Sequence, residues 1–224
     1  VDRSSAVRPE DGGRHDVGPA RRRAAVRPRV VMAGPSRHVR GGVSAVVNSL
    51  LRALPEDAPS VLYVATHVDG PKFLKTIAAA SGAIGVVCAV LFGRRRIVHL
   101  HMASNASYAR KASIYRIVRL LGARTIIHVH GGGFHSFFKD ADARLKKSIS
   151  RTLAGADLVI ALSDEWSARL RRIAPGAKIR VLPNPVVVED FAAAHECRSN
   201  VPEGGGTVLF LGAFLKRKGI YDLV

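Results

Sequence analysis

Val30-Val31-Met32-Ala33-Gly34-Pro35, followed by Gly41-Gly42-Val43 and an apolar-periodic run to Leu54, is the stretch that decides the fold. It reads as a buried strand, a loop, a glycine pair and then a helix. Glycine in such a loop lets backbone N–H groups approach a ligand closely, and the helix N-terminus favours negative charge. Together they form a phosphate cradle at the edge of a parallel sheet. A Gly-Gly pair alone also marks ordinary turns, so the surrounding pattern has to carry the reading.

Outward from that stretch, short apolar runs alternate with helical ones. Strands are predicted over 29–33, 60–65, 97–100, 125–129, 158–161, 179–182 and 207–211, and helices over 43–54, 72–92, 106–121, 140–154 and 164–173. The alternation implies βαβ units: an α/β fold with a mostly parallel, Rossmann-like sheet covered by helices on both faces. Ligands of such sheets bind beyond the carboxyl ends of the strands. Residues 1–28 are rich in Arg, Gly and Pro with no apolar run, and are expected to be a disordered basic arm rather than a secretory leader. The α/β domain then occupies 29–184, where Pro183-Asn184-Pro185 stops the pattern. A polar linker is expected over 185–206, and 207–224 reads as the opening of a second, truncated domain, because one strand cannot bury itself.

The formal charge is +18. Residues 1–29 hold eight Arg against four acids, which leaves 27 basic against 13 acidic residues in the rest. The excess therefore sits in the folded body and points to an anionic partner: a phosphorylated substrate, an acidic membrane surface or nucleic acid. Aromatic content of 6% leaves few platforms for stacking bases, so nucleic acid is the disfavoured member of that list. A basic binding module without catalysis is the rival from a different function class, and a metal-dependent hydrolase is a third. Cys88 and Cys197 are the two cysteines, without C-x-x-C spacing, so neither a disulfide framework nor a thiolate metal site is supported and a reducing compartment fits. Residues 77–92 are almost wholly apolar or small, with Lys72 and Lys75 before them and Arg94-Arg95-Arg96 after. The run is shorter than the roughly 20 residues of a bilayer span and reads as a buried or surface-seeking helix. At a membrane its flanking cations would meet anionic headgroups.

Chemistry-bearing residues gather at the strand ends. His99 and His101 form H-L-H, and His128 and His130 form H-V-H. Residues i and i+2 of a strand share a face, so each pair projects together. Gly131-Gly132-Gly133 follows His130 and offers backbone to a ligand. Half-buried structural histidines, a metal site and a sugar- or phosphate-recognition cleft all fit this pattern. The metal option lacks nearby acids and is not expected. A lipase-type oxyanion loop would need a downstream G-x-S-x-G, which is absent, as is the G-x-x-x-x-G-K-[ST] of Walker nucleotide sites. Near the C-terminus Lys216-Arg217-Lys218-Gly219 follows the strand-closing Gly212, an arrangement suited to a diphosphate.

With those pieces in order, the chain resembles glycosyltransferase family 4, whose two Rossmann-like domains face each other across a cleft in the GT-B arrangement. The matching residues are Gly41-Gly42-Val43, H-L-H at 99–101, H-V-H-G-G at 128–132, the run from Ala156 to Ser163, the run from Val181 to Val186, and Phe210-Leu211-Gly212 with Lys218-Gly219-Ile220. The resemblance implies a retaining, metal- and cofactor-independent transferase using a nucleotide-diphosphate-sugar donor and a lipid-linked or polysaccharide acceptor, in polysaccharide or glycolipid synthesis. It implies His130 as the catalytic residue near the transferred sugar. Gly41, Gly42 and Gly131 would bind substrate through the backbone, and Lys218 with Arg217 would grip the leaving diphosphate. Where the family carries an Arg after the glycine of the second domain's first strand, this chain has Ala213. The paired glutamates that the family places deeper in the second domain are not in this sequence, so a truncated product or a two-chain enzyme is expected. A cytoplasmic protein peripheral to the inner face of the cell membrane follows from the same reading.

Overall fold

Apolar and β-branched residues fill six short segments that become strands: β1 (Arg29–Gly34), β2 (Ser60–Ala65), β3 (Ile97–Met102), β4 (Arg124–Val129), β5 (Leu158–Ala161) and β6 (Ile179–Val181). The structure is a computed structural model, and it describes residues 29–93, 96–186, 188, 210 and 221. All five strand pairings are parallel, in the order β2-β1-β3-β4-β5-β6. The central strands are buried on both faces, as the near-continuous apolar character of V-V-M-A and T-I-I-H-V requires. The edge strands β2 and β6 show the partial exposure of half-covered strands.

Six helices connect them: α1 (Gly42–Arg52), α2 (Lys72–Leu91), α3 (Ala106–Leu120), α4 (Phe134–Asp140), α5 (Ala143–Ala154) and α6 (Asp164–Ile173). Val98, Leu100 and Met102 of β3 join one large core with Val86 and Val90 of α2, Ile114 and Val118 of α3, and Leu153 of α5. His99 and His101 alternate with them and face the other way. Strand order reverses at β1, so right-handed crossovers put α1 on the histidine face and α2, α3 and α5 on the opposite one. Val46 and Val47 of α1 are accordingly buried yet outside the large core. This reversal opens a crevice between the carboxyl ends of β1 and β3.

Beyond shifts of one or two residues at element ends, the region of α4 and α5 differs from the periodicity reading. The helix expected over 140–154 begins at Ala143, because the Asp142 carboxylate caps it by accepting from the Leu145 N–H at 2.7 Å. Ahead of it lies α4, a helix the reading missed, which buries Phe134. The apolar segment at 77–92 lies in α2, which is long and apolar enough to cross a membrane by length and composition, with mean hydropathy 1.9. It is also the crossover joining β2 to β3 of one sheet, so it cannot span a bilayer while that sheet is intact. Gly82 lets α2 seat against the end of β2: a Cβ there would lie 2.3 Å from the Ala65 carbonyl oxygen.

The chain divides into two compact units, Val1–Asn184 and Pro185–Val224. The predicted arm at 1–28 and strand at 207–211 lie outside the described residues, apart from Phe210.

Candidate active site

At the crevice beyond β1 and β3 lies a pocket of about 250 Å³ whose lining includes Gly41, Gly42, Ser44, His67, His101, Arg110 and Lys111. The N-terminus of α1 supplies one wall. Gly41 is extended, no side chain caps the helix, and α1 opens without an acid in its first turn. The first N–H groups of the helix therefore have no internal partner, and the dipole adds partial positive charge. A Cβ at Gly41 or Gly42 would meet no protein atom within 4 Å. The fold does not need glycine there, so the open space is available to a ligand. Ser44 is buried and ties the wall down by donating to the Ser36 carbonyl at 3.1 Å.

The opposite wall is cationic. Lys111 is 1% exposed, and its Nζ donates to Thr66 Oγ1 at 2.6 Å. Thr66 Oγ1 in turn donates to the Gly34 carbonyl at 2.9 Å. Burial, and then the neighbouring Arg110, pull the Lys111 ammonium down to about 7. Among the described residues, the buried Arg110 Nε and His67 Nδ1 have no hydrogen-bond partner. His67 is held below its usual range first by burial and then by Arg110 and Lys75, against the opposing pull of Asp69. No Asp or Glu is among the described residues that line the pocket. A wall of this kind is short of counter-charge.

Behind the pocket the four histidines pack as one stack. The register sets His101 opposite His128. Ring centroids lie 4.5 Å apart for His99 and His101, 5.0 Å for His101 and His130, and 4.0 Å for His128 and His130. All four are nearly inaccessible, and His101 Nδ1 shares a hydrogen bond of 2.8 Å with His130 Nε2. Burial holds all four far below the usual histidine range, with mutual repulsion adding to it at His99, His101 and His128, so the rings are neutral near pH 7. His101 lines the pocket; His130 stands behind it, with its backbone N–H bonded to the Met102 carbonyl at 2.7 Å. Nitrogens of His99, His101 and His128 lie within 4.8 Å of one another, a donor set of the kind that binds transition metals. The His99 ring lies 24° from the plane of His101 and 14° from that of His128.

Gly131 lies beyond the end of β4 with φ +92, and a Cβ there would also meet open space. Its carbonyl accepts from the Phe134 N–H at 3.2 Å, so a left-handed turn is what starts α4. Lys218, Arg217, Lys216 and Ala213 lie outside the described residues. The structure thus brings Gly41, Gly42 and His101 together and adds Ser44, His67, Arg110 and Lys111, which the sequence reading missed. One signal was available for Lys111. It falls on the apolar stripe of α3 with Tyr108, Ala112, Tyr115 and Val118, where a charge is out of place unless a site uses it.

A second concavity, of about 870 Å³, lies between α3 and α5 and includes Arg116, Arg119, Arg144, Lys147 and Arg151 in its lining. It is carried on the helix layer rather than at the strand ends. Its cations are exposed surface groups, without the buried, constrained geometry of the pocket at β1 and β3.

The family model described as Glycosyltransferase Family 4 matches residues 40–190, more than half of the chain and all of the pocket wall from Gly41 onward. No curated protein matches the chain.

Proposed function

The chain belongs to glycosyltransferase family 4, and from that membership we propose that it is the acceptor-side domain of a retaining transferase using a nucleotide-diphosphate sugar. One observation carries the reading of the site: a pocket at the β1/β3 reversal, with no acid among its described lining residues, joins an uncapped helix N-terminus to the buried Lys111 and the half-buried Arg110. Such a pocket favours phosphate oxygens. In this reading the donor diphosphate rests on the backbone of Gly41 and Gly42. The bond from the sugar's anomeric carbon to the diphosphate breaks, and an acceptor hydroxyl oxygen bonds to that carbon on the same face. The acceptor proton leaves on the diphosphate. His130, hydrogen-bonded to His101, is the catalytic residue near the transferred sugar.

The acceptor is a lipid-linked or polysaccharide chain, and the domain works at an anionic membrane surface. Support for the membrane comes from one side of the sheet, where α2 exposes Phe73, Ile77 and Ile84, Phe92 is exposed just after it, and the α3/α5 groove carries its arginines. Apolar insertion and headgroup attraction act together on such a face.

The test is the melting temperature of the protein with UDP, GDP and their sugar conjugates. A ligand that binds only the folded state raises it according to the ratio of its concentration to its Kd. A rise with one nucleotide family supports diphosphate binding here and names the donor class. No rise with any of them sinks the donor reading for this chain.

A further inference from the structure

The histidine stack behind the pocket holds more polar atoms than it pairs. Among the described residues, four of its buried ring nitrogens have no hydrogen-bond partner: His99 Nε2, His101 Nε2, and both nitrogens of His128. Each has given up its bonds to water and gained none in return. Buried polar groups are normally paired, so orphans gathered in one cluster ask for an occupant. Ring packing alone would be served as well by phenylalanine, without that cost.

The strands bring these rings together. His99 and His101 are two apart on β3 and share a face, and His128 sits opposite His101 on β4. One nitrogen from each of the three lies within 4.8 Å of the other two. Around a four-coordinate zinc ion, with Zn–N bonds of about 2.0–2.1 Å, ligating nitrogens stand roughly 3.3–3.4 Å apart. Closing the difference takes rotation about χ2, the broad torsion of a histidine side chain. The ring beside His101 fits too. His101 Nδ1 is bonded to His130 Nε2 at 2.8 Å, which leaves Nε2 of His101 without a partner and fixes the ring's orientation. His101 lines the pocket, which gives an ion a way in.

We propose that His99, His101 and His128 form a binding site for a transition-metal dication of the Zn²⁺ type, with water as its fourth ligand. Three imidazoles suit Zn²⁺, Cu²⁺ or Ni²⁺, whereas Mg²⁺ and Ca²⁺ seek oxygen ligands. The sequence reading set a metal aside for want of nearby acids, but an all-imidazole site needs none. The site stands on its own residues, whether or not the chain is a transferase.

Titration of the whole chain, stripped with EDTA and dialysed, with Zn²⁺ and with Co²⁺ tests this. One equivalent of Zn²⁺ should bind and raise the melting temperature. Co²⁺ should give the strong visible absorption of a four-coordinate ion. His99→Phe and His128→Phe keep a ring in the stack and should each weaken Zn²⁺ by about 100-fold or more, and His130→Phe, which only steadies His101, by about tenfold or more. Replacing the exposed His38 and His135 with alanine should change nothing. In the parent protein, absence of the cobalt absorption or of the melting shift with Zn²⁺ overturns the inference whatever the variants do. So does unchanged Zn²⁺ affinity in His99→Phe or His128→Phe, loss of binding on replacing His38 and His135, or displacement of Zn²⁺ by Mg²⁺.

Discussion

Replacing Lys111 with methionine should make the protein more stable while damaging its site, and the structure sets the size of the effect. Burial and Arg110 lower the Lys111 ammonium from 10.5 to about 7. In the unfolded chain the same lysine keeps its proton to its ordinary range. Between these two values the unfolded state therefore binds more protons, and the stability of the native protein rises with pH. At about 1.4 kcal/mol for each pH unit of displacement, holding the proton in the folded state costs roughly 5 kcal/mol below neutral pH. Lys111→Met removes that cost and loses one hydrogen bond to Thr66, worth about 1 kcal/mol. The variant should be more stable by about 3–4 kcal/mol at pH 6, and the margin should narrow by roughly 2–3 kcal/mol at pH 9. Other groups near the ammonium are Arg110 on α3, His101 on β3, and His67 after β2 with Lys75 and Asp69 around it. All of them are present in both proteins and largely cancel in the difference. Urea denaturation followed by far-UV circular dichroism, at several pH values, gives the two curves. A variant less stable than the parent at pH 6, or a margin that does not change with pH, would refute the claim that Lys111 is a buried, uncompensated cation.

Three further outcomes follow from the same geometry. Gly41→Ala and Gly42→Ala meet open space and should leave the urea midpoint within about 0.5 kcal/mol of the parent. The same changes should cut the thermal response to nucleotide diphosphates several-fold; a clear loss of stability would mean these glycines serve folding instead. Gly82→Ala drives a Cβ into the Ala65 carbonyl and should destabilise by about 1–3 kcal/mol, and it should weaken anion binding by shifting Thr66 under Lys111. A midpoint equal to the parent's would show that α2 can lift from β2 freely. Co-sedimentation with liposomes rich in anionic lipid should be strong at low salt and reduced by added salt, with a residue of salt-resistant binding that Phe73→Ser and Ile84→Ser remove. Retention that ignores both salt and these substitutions would sink the membrane reading of this helix face.

Much of the fold was legible in the chain, since parallel strands and amphipathic helices are local patterns. Six of the seven predicted strands match observed ones within a few residues, and β2 and β5 match at both ends. The seventh lies outside the described residues. The start of α5 was written in Asp142, whose capping role is a local signal that the helix reading over 140–154 did not use. The glycine pair and the H-L-H and H-V-H pairs were equally local, and periodicity was enough to place each pair on one face.

What the pocket contains is another matter. His67, His101, Arg110 and Lys111 come from three separate parts of the chain and meet because strand order reverses at β1. Spacing cannot announce such a meeting. It also cannot rank His101 against His130, because the difference is which ring stands in front. Sequence alone determined a parallel α/β domain of glycosyltransferase family 4 with a glycine-opened helix, since residue type and period suffice for these. Only the tertiary structure decided that Lys111 is buried with no acid beside it among the described residues, because desolvation depends on everything packed around a group and not on its neighbours in the chain.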